Sequence, residues 1–317
     1  MVRTHVLYPD GRVQADENIA LARGAPEGCT VWVDIVASSA LGLAVIPPEW
    51  RFHPLALEDC VHPQRRSKYE RFPAHTFIVL QALDTGTADE IDTVSVRVFV
   101  RPGLVVSVHD RPVSAIDRVD KLVLSDSDRV GFGAERVLHA LVDAIVDEFV
   151  EVLDRWEDRI DQLAELALTD EERQVVPQLV SMRNHLGLMR RSLLPQREVI
   201  TRLRDGLDEK DQGRHYFQDV LDHIDAVIDT AALLAEVCSG ALQVRSDHIN
   251  ENLNRVMKYL AIVSTLLLPM TVVSGVFGMN FDVIPTTHDP LGFWGAILLM
   301  VLSAAMLVVW FRAKRWL

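Results

Sequence analysis

Two runs without a single charged side chain, residues 259–281 and 291–311, constrain this chain more than anything else in it. Each meets the roughly 20 residues with which an α-helix, rising about 1.5 Å per residue, crosses the hydrocarbon core of a bilayer. Buried helices of soluble proteins are usually shorter and amphipathic, with a polar face that neither run has. The pattern predicts two transmembrane helices, spanning about residues 257–279 and 291–311 and joined by a very short loop.

The flanking charges orient this hairpin. Arg255 and Lys258 precede the first span, and Arg312, Lys314 and Arg315 follow the second. The loop between them carries Asp282 and Asp289 and no Lys or Arg. Positive side chains stay on the cytoplasmic side, so both termini are expected in the cytoplasm of a multi-pass plasma-membrane protein. Residues 1–10 contain no apolar signal-peptide core, so no cleaved leader is expected and the hairpin is the only anchor.

Composition narrows the partners. A formal net charge of -13 argues against nucleic acid and favours cations. Cys29, Cys60 and Cys238 are odd in number and far apart, which indicates neither a disulfide framework nor a thiolate metal site.

The fold class expected is α+β. Residues 1–133 read as a cytoplasmic α/β domain, with strands at 30–36, 76–82, 93–100 and 104–108 and a short helix at 54–60. Arg101, Pro102 and Gly103 are a turn signal that joins the last two strands in a hairpin. Residues 134–256 read as long helices forming a stalk. Val142, Ile145, Phe149, Val152, Trp156, Leu163 and Leu166 mark a narrow apolar seam, while residues 143–172 hold twelve Asp or Glu against Arg155 and Arg159. A second helix is expected over 172–203, interrupted at Pro195, and a polar turn follows at 204–213. From Tyr216 no proline occurs until Pro269, and Val220, Ile224, Val227, Ala231, Leu234 and Leu242 keep the helical period. Unbroken to Phe277, that helix would be on the order of 90 Å long. Residues 257–317 are the transmembrane hairpin.

At helical spacing the first span lines up Asn254, Met257, Leu260, Ser264, Leu268, Thr271 and Gly275 on one face. Small and hydroxyl residues stand at its outer part, Leu and Met lower down. Such a stripe fits close helix packing as well as pore lining. A hydrophobic constriction that gates by dewetting is the use assigned to Leu260 and Met257.

Phe277-Gly278-Met279-Asn280-Phe281, at the end of the first of two terminal spans, resembles the signature of the CorA-type magnesium channels. Residues 254–260 leading into Leu268-Pro269-Met270-Thr271 are similar to that family's pore helix, and Lys314-Arg315-Trp316-Leu317 to its basic C-terminus. Residues 53–59, 68–72 and 141–147 resemble further family segments. The resemblance implies a homopentamer in the lipid bilayer, with the first span of each subunit lining a central pore below a cytoplasmic funnel. It implies that Gly278, Met279 and Asn280 form the selectivity filter, Asn280 ringing the outer mouth. Mg²⁺ gives up its waters reluctantly, and a ring of amide oxygens can accept hydrogen bonds from the hydrated ion. The same resemblance implies regulatory Mg²⁺ sites from Glu58, Asp59, Asp143 and Asp219, paired across neighbouring subunits, with bound ion holding the channel closed. Three positions depart from the family pattern: Phe277 replaces a Tyr, Thr286 stands where an acid is usual, and Gln243 stands where some members carry an acid.

The function expected is divalent-cation uptake, with magnesium first and cobalt and nickel as further ions, and with no enzymatic activity. A zinc transporter of the ZntB type is the nearest rival, but its signature resembles Gly-Val-Asn, and Met279 favours magnesium. His53, His62, His75 and His109 are scattered at spacings that make no ligand pair. A membrane-anchored metal-dependent hydrolase or scaffold is the rival of another class. Asp143 and Asp147, four apart, can share an ion on one helical face, but no hydrolase motif accompanies them.

Overall fold

The computed structural model describes residues 1–37, 40–62, 66–84, 92–167, 174–208, 212–279 and 290–316. They cluster into two units, Met1–Leu242 and Gln243–Leu317.

Seven strands organise the first unit: β1 (Val2–Leu7), β2 (Val13–Asp16), β3 (Thr30–Val36), β4 (Lys68–Arg71), β5 (Thr76–Asp84), β6 (Asp92–Arg101) and β7 (Leu104–His109). They form one sheet in the order β2-β1-β3-β7-β6-β5-β4, antiparallel except for the β3–β7 pair. The strands expected at 30–36, 76–82, 93–100 and 104–108 are all present, each within two residues of its expected ends. β1, β2 and β4 lack a clean apolar period. β2 is largely exposed, and β4 is a polar edge strand reading Lys-Tyr-Glu-Arg. Arg101 pairs with Leu104 across a two-residue loop, where Gly103 takes φ 75 after Pro102, as a type II turn requires.

Both faces of the sheet are covered, which is why β5 and β7 are buried almost throughout. On one face, Val31, Val33, Phe77, Phe99 and Val106 pack beneath α1 (Ala20–Arg23), α2 (Ala40–Leu43), the turn Pro48–Trp50 and α3 (Pro54–Val61). On the other, Trp32, Ile78, Leu80, Val96 and Val105 pack with α4 (Ser114–Ser125), α5 (Ser127–Val130), α6 (Ala134–Ala167), α7 (Val175–Asp205) and the start of α8 (Gly213–Phe277). The α6 seam behaves as expected: Val142, Ile145, Phe149 and Leu163 are buried, and Val152, Trp156 and Leu166 pack against them. Burial pushes the Cys60 thiol up to about 12, so it packs as a small apolar group.

A buried ionic network ties three strands to α4. The fully covered Asp34 carboxylate accepts from Arg3 Nη2 at 2.7 Å, Ser107 Oγ at 2.6 Å and His109 Nε2 at 3.0 Å. Arg3 Nη1 also reaches Asp117 at 2.6 Å, and Trp32 Nε1 donates to Ser107 Oγ at 3.1 Å. Nothing in the spacing of Arg3, Asp34 and His109 announces this.

Pro195 does not interrupt its helix: α7 runs unbroken over 31 residues. A proline removes one intrahelical hydrogen bond, and here one buried residue on each side holds the helix, Leu193 at 0% and Gln196 at 1% exposure. β5 outruns β4 beyond the Lys68–Val79 pair. Gln196 completes the edge there, its Oε1 accepting from Gln81 N at 3.2 Å and its Nε2 donating to Gln81 O at 3.0 Å. Gln196→Ala is expected to cost about 1–3 kcal/mol, because it strands a buried N–H and C=O together. Chemical denaturation of the detergent-solubilised chain measures it.

The second unit contains α8 from Gln243 onward and α9 (Pro290–Ala313). α8 is continuous over 65 residues, as the absence of proline before Pro269 predicts. Both helices are long and apolar enough to cross a membrane. Their large apolar side chains are exposed, among them Leu260, Leu268, Leu298 and Met306. In water each Å² of such surface would cost about 25 cal/mol, a cost that a bilayer removes. Each helix carries one covered line. On α8 it runs through Ile262, Leu266, Pro269, Val273 and Phe277. On α9 it runs through Gly292, Ala296, Met300, Ser303, Leu307 and Phe311, where the small residues permit close approach.

Candidate functional site

The apolar part of α8 has two distinct sides. Asn254, Met257, Leu260, Ser264, Leu268, Thr271 and Gly275 are all exposed. On a helix turning about 100° per residue they lie opposite the covered line. The face singled out by sequence is therefore exposed among the described residues. Thr271 Oγ1 donates to Leu267 O at 2.9 Å, which leaves its lone pairs directed away from its own backbone. Gly275 has open space where a Cβ would stand, so its value to the face is a small profile.

The helix closes at its C-terminal end through Gly278 N to Ser274 O at 2.9 Å, followed by Met279 N to Val276 O at 3.4 Å. A Cβ on Gly278 would lie 2.9 Å from the Ser274 carbonyl oxygen, so this turn requires glycine. Met279 is exposed. Asn280, with Asp282, Thr286 and Asp289, lies outside the described residues.

Of the acidic candidates, Glu58 and Asp59 stand on α3. His53 caps that helix, its Nδ1 accepting from Leu55 N at 3.3 Å. Arg97, buried on β6, grips the other end by donating to Asp59 O at 3.1 Å and His62 O at 3.3 Å. These bonds satisfy carbonyls that a helix C-terminus leaves open. Glu58 is exposed, whereas Asp59 Oδ2 accepts from Lys68 Nζ at 2.8 Å. Burial opposes the Lys68 charge, but hydrogen bonds to Asp59 and Glu70 outweigh it and raise the Lys68 pKa. A cation at Asp59 must therefore compete with an ammonium group already there.

Asp143 and Asp147 project from one face of α6, and His223 meets them from α8. One ligand atom from each lies within 4.8 Å of the others. Burial lifts both carboxyls above their usual range; for Asp147 the neighbouring Asp143 adds to the effect, and for Asp143 Asp219 does so, opposed by His223. Asp219, one turn before His223, is exposed. The His223 Nδ1 is buried without a partner among the described residues. Two carboxylates and an imidazole are a ligand set for a divalent ion, and the nitrogen suits Co²⁺, Ni²⁺ or Zn²⁺ better than Mg²⁺. His223 is the residue that sequence reasoning missed. Its four-residue step from Asp219 was the available signal, because i,i+4 pairs share a helical face.

The fold and these sites define a two-helix membrane protein with an acidic extramembrane domain. The family model for the CorA-like Mg²⁺ transporter protein matches residues 28–315. The cobalt/magnesium transport protein CorA of Thermotoga maritima is 31% identical over 270 residues, covering 84% of this chain and 77% of that protein. The CorA magnesium transporter structure from Methanocaldococcus jannaschii superimposes with a TM-score of 0.88 at 22% identity, covering 100% of this chain and 99% of that one. The ZntB cytoplasmic domain from Vibrio parahaemolyticus gives 0.59 at 13% identity over 78% of this chain and 98% of that one. These two structural likenesses carry the fold. The chain belongs to the CorA-like Mg²⁺ transporter family, and is a divalent-cation transporter rather than an enzyme.

Proposed function

We propose that this protein is a homopentameric channel that takes up Mg²⁺ across the cytoplasmic membrane, with both termini in the cytoplasm. The observation that carries the reading is the stripe from Asn254 to Gly275, which is exposed and opposite the covered line of its own helix. Five such faces around an axis would line a pore, with Leu260 and Met257 as the hydrophobic constriction. Gly278, Met279 and Asn280 would form the filter that holds the hydrated ion. The functional parts are the α/β domain 1–133, the stalk 134–256 and the hairpin 257–317. Regulation follows from Glu58, Asp59, Asp143 and Asp219, through which cytoplasmic Mg²⁺ would bridge subunits and favour the closed state.

An inside-negative potential drives a divalent ion inward by about 4.6 kcal/mol per 100 mV. Mg²⁺ influx into liposomes under such a potential tests the proposal, wild type beside Asn280→Ala. Wild-type influx that falls at least tenfold in the variant is expected. Zn²⁺ passage without Mg²⁺ would replace the ion assignment, and passage of neither would end the channel reading.

A further inference from the structure

A cleft of about 830 Å³ opens in the first unit where the turns at 71–76 and 101–103 meet the first turns of α6 and α8. Its walls hold three cations, Arg71, Arg101 and Arg136, against one acid, Glu135, in a chain of net charge -13, beside His75 and His139, whose pKa values burial lowers toward the neutral form. Gathering like charges costs energy, and a concave site lined by one sign focuses its field on a ligand of the other. Two long helices also enter the cleft by their N-terminal ends, adding the positive poles of their dipoles.

Three side chains here lack something to bond. His75 is 4% exposed, yet both its ring nitrogens are without a partner among the described residues. Arg136 Nη1 and His139 Nε2 are in the same position. A buried donor left unpaired is costly, so an acceptor from outside the chain fits Arg136 Nη1 and the nitrogen of each neutral imidazole that carries the proton. Their placement is held firmly. His75 stacks on Phe72 at 5.0 Å and meets Phe52 edge-on at 5.1 Å. The Arg136 guanidinium lies 3.9 Å over the Tyr216 ring. Gly131, at φ 80, leaves room for it, since a Cβ there would stand 2.7 Å from Arg136 Nε. Phe132 adds an exposed ring to the wall.

We infer that this cleft binds a nucleoside polyphosphate, the arginines, histidines and helix ends taking the phosphates and Phe132 with Tyr216 taking the base. The volume falls in the range of small-molecule sites, about 300–1,000 Å³. The inference does not depend on the transport reading.

Calorimetric titration of the full detergent-solubilised chain with adenosine triphosphate, in metal-depleted buffer, tests it. Saturable binding is expected, with inorganic triphosphate at least tenfold weaker because it lacks the base. Arg136→Gln should weaken the nucleotide at least tenfold. Arg71→Gln, at the exposed rim and remote from the core, should weaken it severalfold with the circular dichroism unchanged. No binding by folded wild type at millimolar nucleotide, equal affinity for triphosphate, or binding unmoved by both substitutions would each overturn the assignment.

Discussion

Asp34→Ala is expected to destabilise the α/β domain by about 3–5 kcal/mol, the range for removing one partner of a buried ion pair. Asp34 is the common acceptor of Arg3, Ser107 and His109, and its side chain is fully covered. Its loss leaves the buried His109 without its carboxylate and leaves Arg3 with Asp117 and Asp120 alone. At about 2–4 °C per kcal/mol, the melting temperature should fall by roughly 10 °C. Tryptophan fluorescence reports it directly, because Trp32 donates into the same network. An unchanged melt would mean that water replaces the carboxylate at no cost. Burial alone would lower the His109 pKa, but the hydrogen bond and charge of Asp34 outweigh it, so the folded value is raised. Its stabilising contribution is therefore complete below the ordinary histidine value of about 6.5 and is lost as pH rises through the folded value. Asp34 runs the other way. Burial opposes its charge, but His109, Ser107 and Arg3 overcome that and depress the pKa. Its contribution is present above the ordinary Asp value of about 3.9 and is lost as pH falls through the depressed one.

The second large effect belongs to the Asp143, Asp147 and His223 cluster. With divalent ions removed, Asp143→Asn together with Asp147→Asn should raise the melting temperature, because two charges are no longer held away from water and Asp143 no longer repels Asp147. Their folded pKa values are raised, so the folded chain holds those protons more tightly than the unfolded one. Wild-type stability in chelator should accordingly increase as pH falls through the folded values, and the double variant should lose that slope. Adding Co²⁺ at about a hundred times its dissociation constant should stabilise the wild type by about 2.7 kcal/mol and the double variant by almost nothing. Equal Co²⁺ shifts in both proteins would remove the cluster as a metal site.

Much of this architecture was legible from local pattern. β3, β5, β6 and β7 were readable because buried strands rich in β-branched residues leave an unbroken or alternating apolar run. β2 and β4 were not, because edge strands are recruited by their neighbours and need no apolar face of their own. The break expected at Pro195 failed because helix packing on both sides of a proline outweighs one missing hydrogen bond.

Membrane-spanning helices need only length and the absence of charge, both local properties, so α9 and the apolar end of α8 could be read directly from residue order, as could the face bearing Asn254 to Gly275. Ion pairs and ligand sets depend on which distant segments meet. Folding alone tied Asp59 to Lys68 and sank Asp34 between Arg3 and His109. It also brought His223 to Asp143 and Asp147, and gathered cationic side chains from distant segments around one cleft. Electrostatic energy follows distance in space, which spacing along the chain does not encode.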